Sequence, residues 1–405
     1  MSVEITTGPP EVRVPASTEA TDTVATAEAV LSKRTGAPVR LADVEDLGGS
    51  DRSVVLRVRI AESPFELPRT VVVKHYGECP PEARSDPFAH EAASCQLTTA
   101  LPPEARVSPE LIAHDTNERL LVLEDLGRGS TLADVLFGED PRAAERALLA
   151  WARALGRLHS TTAGCSADFD ALMRRLGAKS WTDPVGDDIG SAVAELPELI
   201  DQLLDVRTSP EMAERLTAAS EQLGGSRYQA FSPSDICPEN SLVTGSSGVR
   251  FLDFEWGCVR DVAMDAAYLQ YPFPSSWCSY ALPENLAQSM LSTWRSEIAE
   301  VFPELDDDEV LLPRLFNAQL LWVWVSTWWY LPREGENDRP IDLHMPSPRR
   351  STALVDRWRH LRSDARAADI AEVAEFADQM IDALVDRFGA GALHLQPYPA
   401  FRAEQ

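Results

Sequence analysis

The sequence is short of positive charge and especially of lysine: Lys33, Lys74 and Lys179 are its only lysines, and 37 basic residues face 64 acidic ones. A formal charge of -27 repels nucleic-acid phosphate and anionic lipid alike, so it argues against both as partners and mildly favours a cationic small molecule. The lysine deficit beside abundant arginine matches a GC-rich coding background and carries little functional weight. No C-x-x-C pair occurs among the six cysteines (Cys79, Cys95, Cys165, Cys237, Cys258, Cys278), which disfavours a zinc site or a disulfide framework and suits reduced thiols in a cytoplasm. No basic start and no apolar stretch mark a signal peptide; residues 1–25, rich in Thr, Ala, Glu and Pro, read as a flexible tail. The most apolar run, residues 320–331, is too short to cross a bilayer and reads as a buried helix. No internal repeat is visible.

What the sequence does contain is centred on residues 234–243, Ser-Asp-Ile-Cys-Pro-Glu-Asn-Ser-Leu-Val, followed by a Gly/Ser turn and the strand-like Val-Arg-Phe-Leu-Asp-Phe-Glu of residues 249–255. Phosphoryl transfer needs one acceptor for a hydroxyl proton and two oxygen ligands for magnesium. A kinase catalytic loop supplies them as Asp-x-x-x-x-Asn and then Asp-Phe. Asp235 is accordingly the candidate base, and Asn240 and Asp253 are the candidate metal ligands. Taken singly, each piece is no more than a polar turn or a strand end; their succession carries the signal.

A nucleotide lobe is expected upstream. A short helix over residues 25–34 leads to Asp-Leu-Gly-Gly-Ser-Asp-Arg-Ser at 46–53, then to the alternating strand 54–60. Gly48, Gly49, Ser50 and Ser53 would let backbone N–H groups approach a phosphate, although, taken alone, the motif is weak and an ordinary hairpin turn is the better explanation of it. Residues 70–76 place Lys74 in a β-branched run, where a lysine either snorkels from an edge or points at an anion. A helix from Asp86 onwards offers Glu91 as the opposite charge that would fix its ammonium. Strands at 111–115 and 119–124 end in Asp-Leu-Gly at 125–127. This is a hinge position, where backbone groups of Glu124 and Leu126 would meet an adenine edge.

Beyond the hinge the pattern is helical. Residues 143–160 carry apolar residues at helical spacing and end in Leu158-His159, a histidine that reads as a satisfied core residue. Residues 165–230 hold two or three amphipathic helices. Asp265 reads as an acceptor for backbone N–H groups of the catalytic loop, and Asp306-Asp307-Asp308-Glu309 as an acidic helix start. Trp294, Trp322, Trp324, Trp328, Trp329 and Trp358 are core residues by default.

With Gly48-Gly49-Ser50, Lys74, Glu91, Leu158-His159, Asp235, Asn240 and Asp253 in this order, the chain resembles the aminoglycoside phosphotransferase and choline kinase family, small-molecule relatives of protein kinases. The family's His-Gly-Asp-Leu-His-Pro-x-Asn, Asp-Phe-Glu and Gly-Asp-Pro-x-x-Asp motifs align Asp235, Asn240, Asp253, Phe254, Glu255, Asp261 and Asp265. Pro233, Ser234 and Cys237 replace the family's His, Gly and second His, which bears on loop geometry more than on mechanism.

The resemblance implies an α+β, bilobal protein-kinase-like fold. After the tail 1–25, a small antiparallel β-sheet lobe with a helix (26–125) would bind nucleotide, and a large mainly helical lobe (126–405) would carry catalysis and the acceptor. It further implies an ATP- or GTP-dependent, Mg2+-requiring phosphotransferase acting on a hydroxyl of a small, amine-bearing molecule. The rival reading is a nucleotide-binding pseudokinase serving as a partner scaffold.

Overall fold

The structure, a computed structural model, describes residues 17–402 apart from 51, 64, 81–82, 84, 179–180, 246–247, 272, 344 and 390–393. The first half is built on α1 (Ser17–Thr35), β1 (Arg40–Ser50), β2 (Ser53–Glu62), β3 (Thr70–Tyr76), α2 (Pro87–Thr99), β4 (Leu111–Asp115) and β5 (Leu120–Glu124). The strands form one antiparallel sheet in the order β1-β2-β3-β5-β4. One face of it packs on α1: Ala27, Val30 and Leu31 join Leu56, Val58, Val71, Val73, Leu120 and Val122 in a separate small core. The helix begins at Ser17, earlier than the expected Ala25. Residues 17–25 are therefore not tail, and Thr23 is fully buried, its hydroxyl meeting His75 Nδ1 at 2.9 Å. The rest of the expected tail, 1–16, lies outside the described residues.

The second half runs α3 (Leu132–Leu136), α4 (Pro141–Thr162), α5 (Ser166–Arg175), α6 (Pro184–Leu204), α7 (Pro210–Gly224), β6 (Gln229–Ser232), β7 (Ser241–Thr244), β8 (Gly248–Phe251), β9 (Cys258–Asp261), α8 (Val262–Ala266), α9 (Glu284–Ile298), α10 (Asp308–Tyr330), α11 (Arg350–Ala367) and α12 (Ala371–Phe388). Two antiparallel pairs, β6-β9 and β7-β8, support the catalytic loop; residues 246–247 of the expected Gly/Ser turn lie outside the described residues. Helix starts follow the local chemistry. Thr131 and Asp134 close a reciprocal capping box on α3, and Asp140, Asp183 and Ser209 cap helices whose first residue is proline.

The apolar run is α10, buried on all sides in the large core, and among the described residues no helix is long and apolar enough to cross a membrane. Its indoles are satisfied by hydrogen bonds, Trp322 Nε1 donating to Met264 O at 2.8 Å and Trp324 Nε1 to Ala192 O at 3.0 Å. Aromatic rings of this size dominate core energetics. Trp324→Ala is expected to lower unfolding stability by about 3–5 kcal/mol, measured by chemical denaturation; a loss below about 1 kcal/mol would show that α10 is not the central packing element.

Candidate active site

Strand geometry sets the first half of the site. With side chains alternating between faces, β3 directs Val71, Val73 and His75 toward α1 and Lys74 and Tyr76 toward the helical half. Lys74, 6% exposed, places Nζ 2.7 Å from Glu91 Oε2 and 2.7 Å from Asp253 Oδ1. The Tyr76 hydroxyl donates to the same Glu91 oxygen, and its ring lies 5.1 Å from the ammonium. Burial alone would depress the Lys74 pKa, but Asp253 and Glu91 outweigh it and hold the pKa well above the usual value, so the ammonium stays charged. The strand lysine does not snorkel from an edge.

Glu91 is delivered by α2, whose start is set by Asp86 as cap and Pro87 as first residue. The Arg119 fork holds Asp86 at 2.8 and 2.7 Å. The helix lies hard against residues 254–257: Phe254 N–H donates to Glu91 Oε1 at 3.4 Å and His90 Nδ1 to Gly257 O at 2.7 Å. A Cβ on Gly257 would fall 2.2 Å from Ser94 Oγ, so only glycine permits this approach.

The catalytic loop completes the site. Asn240 Nδ2 donates to Asp235 Oδ2 at 3.0 Å, and Asn240 O accepts from Leu252 N–H at 2.8 Å. The open end of the β7-β8 hairpin thereby sets Asn240 beside the segment carrying Asp253, whose side chain is 40% exposed and whose backbone holds φ +61°. Burial raises the Asp235 pKa, as does the Asp253 charge, against hydrogen bonds from Cys237 and Asn240. Magnesium takes oxygen ligands and completes its shell with water and phosphate rather than with an all-protein cage. One amide oxygen and one half-open carboxylate suit it, and among the described residues no cluster of three or more His, Cys, Asp or Glu forms a self-sufficient metal cage.

Beneath the loop lies a fully buried polar network. Asp265 takes Ser232 Oγ at 2.9 Å, His159 Nε2 at 3.0 Å and the Arg260 guanidinium, while His159 Nδ1 accepts from Trp294 Nε1 at 3.0 Å. The expected backbone N–H donors to Asp265 are thus replaced by side chains, because Ser232 relays: its Oγ accepts the Ser234 N–H at 2.9 Å. His159 is a satisfied core histidine. Arg260 also reaches Ser234 Oγ at 3.2 Å and Ser234 O at 3.5 Å, a brace under a loop that has Pro233 where the resemblance expected histidine. Ser234 stands at φ +67°, a conformation glycine adopts freely, which is the physical reason a glycine suits that position. The Cys237 thiol is buried and its pKa pushed well above the usual value, hence unreactive.

The glycine stretch forms the hairpin turn between β1 and β2. The strands run through it, pairing Gly49 with Val54 and Ser50 with Ser53. Gly48 N–H is engaged by Asp46 Oδ1 at 2.8 Å, and a Cβ on Gly49, at φ +147°, would lie 2.2 Å from Ser53 O. These glycines answer to the turn itself. Ser53 is buried, and the Ser50 side chain and Asp51 lie outside what the structure describes. At the tip Arg52 crosses to the other half, its Nη2 2.6 Å from Glu255 Oε1 and its guanidinium 5.1 Å from the Trp256 ring.

At the hinge, Glu124 N–H is engaged by Glu110 O at 2.8 Å and its carboxylate by Glu110 N–H at 3.2 Å. Of the two residues named there, Leu126 is the one whose backbone meets no hydrogen-bonding partner among the described residues. Arg57 clamps Asp125, the residue after β5, at 2.9 and 3.0 Å. Arg52, Tyr76 and Arg260 escaped the sequence reading. Only Tyr76, two residues after Lys74 on the same strand face, left a usable signal.

The profile of the phosphotransferase enzyme family matches residues 44–296, more than half of the chain. The chain belongs to that family. No curated protein sequence matches it. Solved structures similar to this family member include a thermostable mutant of the aminoglycoside phosphotransferase APH(4)-Ia in a ternary complex with AMP-PNP and hygromycin B (15% identity, 90% of this chain and 99% of that one, TM-score 0.44). The ethanolamine kinase of Plasmodium vivax (12%, 85% and 81%, 0.44) and the choline kinase of Cryptosporidium parvum Iowa II (15%, 85% and 93%, 0.44) are also similar.

Two outcomes are expected. Arg52→Ala should free the hairpin tip and speed amide hydrogen exchange at the ends of β1 and β2 by about tenfold, one lost charge-assisted contact; unchanged exchange would show that the contact with Glu255 does not hold the tip. For Asp265, burial raises the pKa, but Arg260, His159 and Ser232 prevail and hold it down to about 2. A carboxyl depressed below its unfolded value stabilises the fold above about pH 4 and loses that contribution as pH falls toward 2, here about 2 kcal/mol. Denaturation curves from pH 7 to 2 should show this loss in the native chain and not in Asp265→Asn.

Proposed function

We propose that this family member transfers the γ-phosphoryl group of ATP or GTP to a hydroxyl of a small molecule. The observation that carries the reading is the buried Lys74 ammonium held by Glu91 and touching Asp253, with Asp235 and Asn240 hydrogen-bonded to each other at the same loop. In this reading residues 26–125, together with the helix beginning at Ser17, bind nucleotide, and residues 126–405 carry catalysis and the acceptor. Lys74 grips the α/β-phosphates and Glu91, steadied by Tyr76, fixes its ammonium. The hairpin with Gly48, Gly49, Ser50 and Ser53 covers the phosphates, pinned by Arg52, while Leu126 next to Glu124 offers backbone to the adenine edge.

Asn240 and Asp253 would hold Mg2+, which when bound neutralises charge on the phosphoryl oxygens. Asp235, its carboxylate steadied by Asn240 Nδ2, orients the acceptor hydroxyl and takes its proton. An amine on the acceptor is supported by Asp235, which is not paired to lysine or arginine among the described residues, and by Glu239, whose pKa burial pushes up to about 7 and whose charged form a nearby ammonium would favour. The buried free thiols suit a reducing cytoplasm.

The test is turnover with ATP or GTP, magnesium and a panel of aminoglycosides and amino alcohols. Asp235→Ala should lower kcat by about 10²–10⁴ with nucleotide affinity kept; an unchanged rate would falsify the assignment of the base. Lys74→Met should weaken productive nucleotide use, and normal nucleotide kinetics in that variant would leave the lysine a structural role only. Nucleotide binding without product from any acceptor would favour the pseudokinase scaffold.

A further inference from the structure

Three arginines are buried among the described residues, and they are not alike. Arg260, 5% exposed, meets the carboxylates of Asp265 and Asp183. Arg357 and Arg350, 3% and 8% exposed, meet none, and Nη1 and Nη2 of Arg357 and Nε of Arg350 are enclosed without a hydrogen-bond partner. Burying a guanidinium without an anion is strongly unfavourable, and arginine keeps its charge throughout the physiological range. The neighbouring carboxylates do not supply the missing partner. Asp356 is 3.2 Å from His360 Nδ1, and Asp338 accepts from Ser351 N–H and Oγ at 3.1 and 2.7 Å. Around Arg350, Arg339 adds a positive charge and Glu336 and Asp338 negative ones, none of which forms an ion pair with it among the described residues.

Position relates this pair to the catalytic loop. Arg350 and Arg357 are seven residues apart on α11, two turns, so they share one face. The Arg357 guanidinium lies 5.3 Å from the centre of the Tyr330 ring, and the Tyr330 hydroxyl donates to Ser275 O at 2.9 Å. Ser275 Oγ in turn is 2.8 Å from the Tyr268 hydroxyl and 3.3 Å from Cys237 Sγ, two residues beyond Asp235. Through Tyr330 and Ser275 the pair is therefore connected to the loop that carries Asp235. We propose that the acceptor carries an anionic group, a carboxylate or a phosphate, and that Arg350 and Arg357 bind it while its hydroxyl faces Asp235. This rests on the phosphotransferase reading and narrows it: charge recognition by a planar fork is what guanidinium groups do best. The cation–π contact with Tyr330 orients Arg357 without neutralising it.

The test uses the full chain saturated with ADP and magnesium, and two pairs of probes matched in skeleton: glucosamine against glucosamine 6-phosphate, and glucose against glucuronate. Calorimetry is expected to find at least one anionic member bound tenfold or more tightly than its partner, the pair concerned telling phosphate from carboxylate. Arg350→Met and Arg357→Met should reduce that advantage to under threefold while leaving ADP affinity intact and the melting temperature equal or higher, since an unpaired buried charge is removed. Arg357→Lys should recover part of it.

Equal binding within both pairs, or variants that keep the advantage, would overturn the proposal. Turnover of the same probes separates the two readings. Anion-dependent binding with no product from any acceptor leaves the arginine site standing and removes the phosphotransferase. Glucosamine phosphorylated with the same kcat/KM as its 6-phosphate, and glucose with the same as glucuronate, does the reverse.

Discussion

The structure depends on one buried ammonium. Lys74 is withdrawn from water, and its charge survives only because carboxylates from two other parts of the chain converge on it: Glu91 from α2 and Asp253 from the segment after β8. The three cannot be satisfied separately. Removing Lys74 would leave two carboxylates facing each other in a low-dielectric cleft, and removing either carboxylate would weaken the counter-charge that keeps the amine protonated. The same constraint joins the sheet half to the helical half, since the only route from β3 to Asp253 is across the cleft. Arg52 and Glu255 repeat the arrangement at the mouth, with a more exposed and therefore weaker ion pair.

A second network does for the catalytic loop what this ion triad does for the cleft. Asp265 gathers donors from β6, α4 and β9, so the loop leaving β6 is braced from three directions. Arg260 extends from that carboxylate to the serine just before Asp235. A proline two places before the base, with no donor of its own, is accommodated because the brace comes from elsewhere. Its N–H is absent but its carbonyl accepts from Asp235 N–H at 2.8 Å, closing the turn. Arg350 and Arg357 are the counter-example. Among the described residues neither forms an ion pair, and Nη1 and Nη2 of Arg357 and Nε of Arg350 are enclosed without a hydrogen-bond partner.

Legibility was uneven for physical reasons. The strands β2 to β5 and the helices α2 and α4 were read nearly to their ends because alternation and 3.6-residue spacing are local signals, and Asp86 and the acidic run 306–309 marked helix starts through their own local chemistry. The helix α1 was placed too late, since its first turns are rich in Thr and Ala and only packing on the sheet makes Thr23 a buried residue. β6 and β9 were not seen at all. Each is four residues long, and neither has an identity apart from the other. Among site residues, Lys74, Glu91, Asp235, Asn240 and Asp253 were named from order and spacing, whereas Arg52, Arg260 and the pair on α11 acquire meaning only from what stands opposite them.

By itself the sequence determined the chemistry on offer: which strand carries an amine, which loop carries a carboxylate and an amide five residues apart, and which glycines permit a tight turn. These follow from residue type and short-range geometry, which the backbone's few allowed conformations make readable. Tertiary structure alone decided which of these groups share a charge. Glu91 and Asp253 are separated by 162 positions in the numbering yet meet one Nζ, and whether a buried arginine finds a carboxylate or waits for a ligand depends on distances that no local pattern encodes. Electrostatic energy in a dry interior is a property of the assembled pair and does not exist in either residue beforehand.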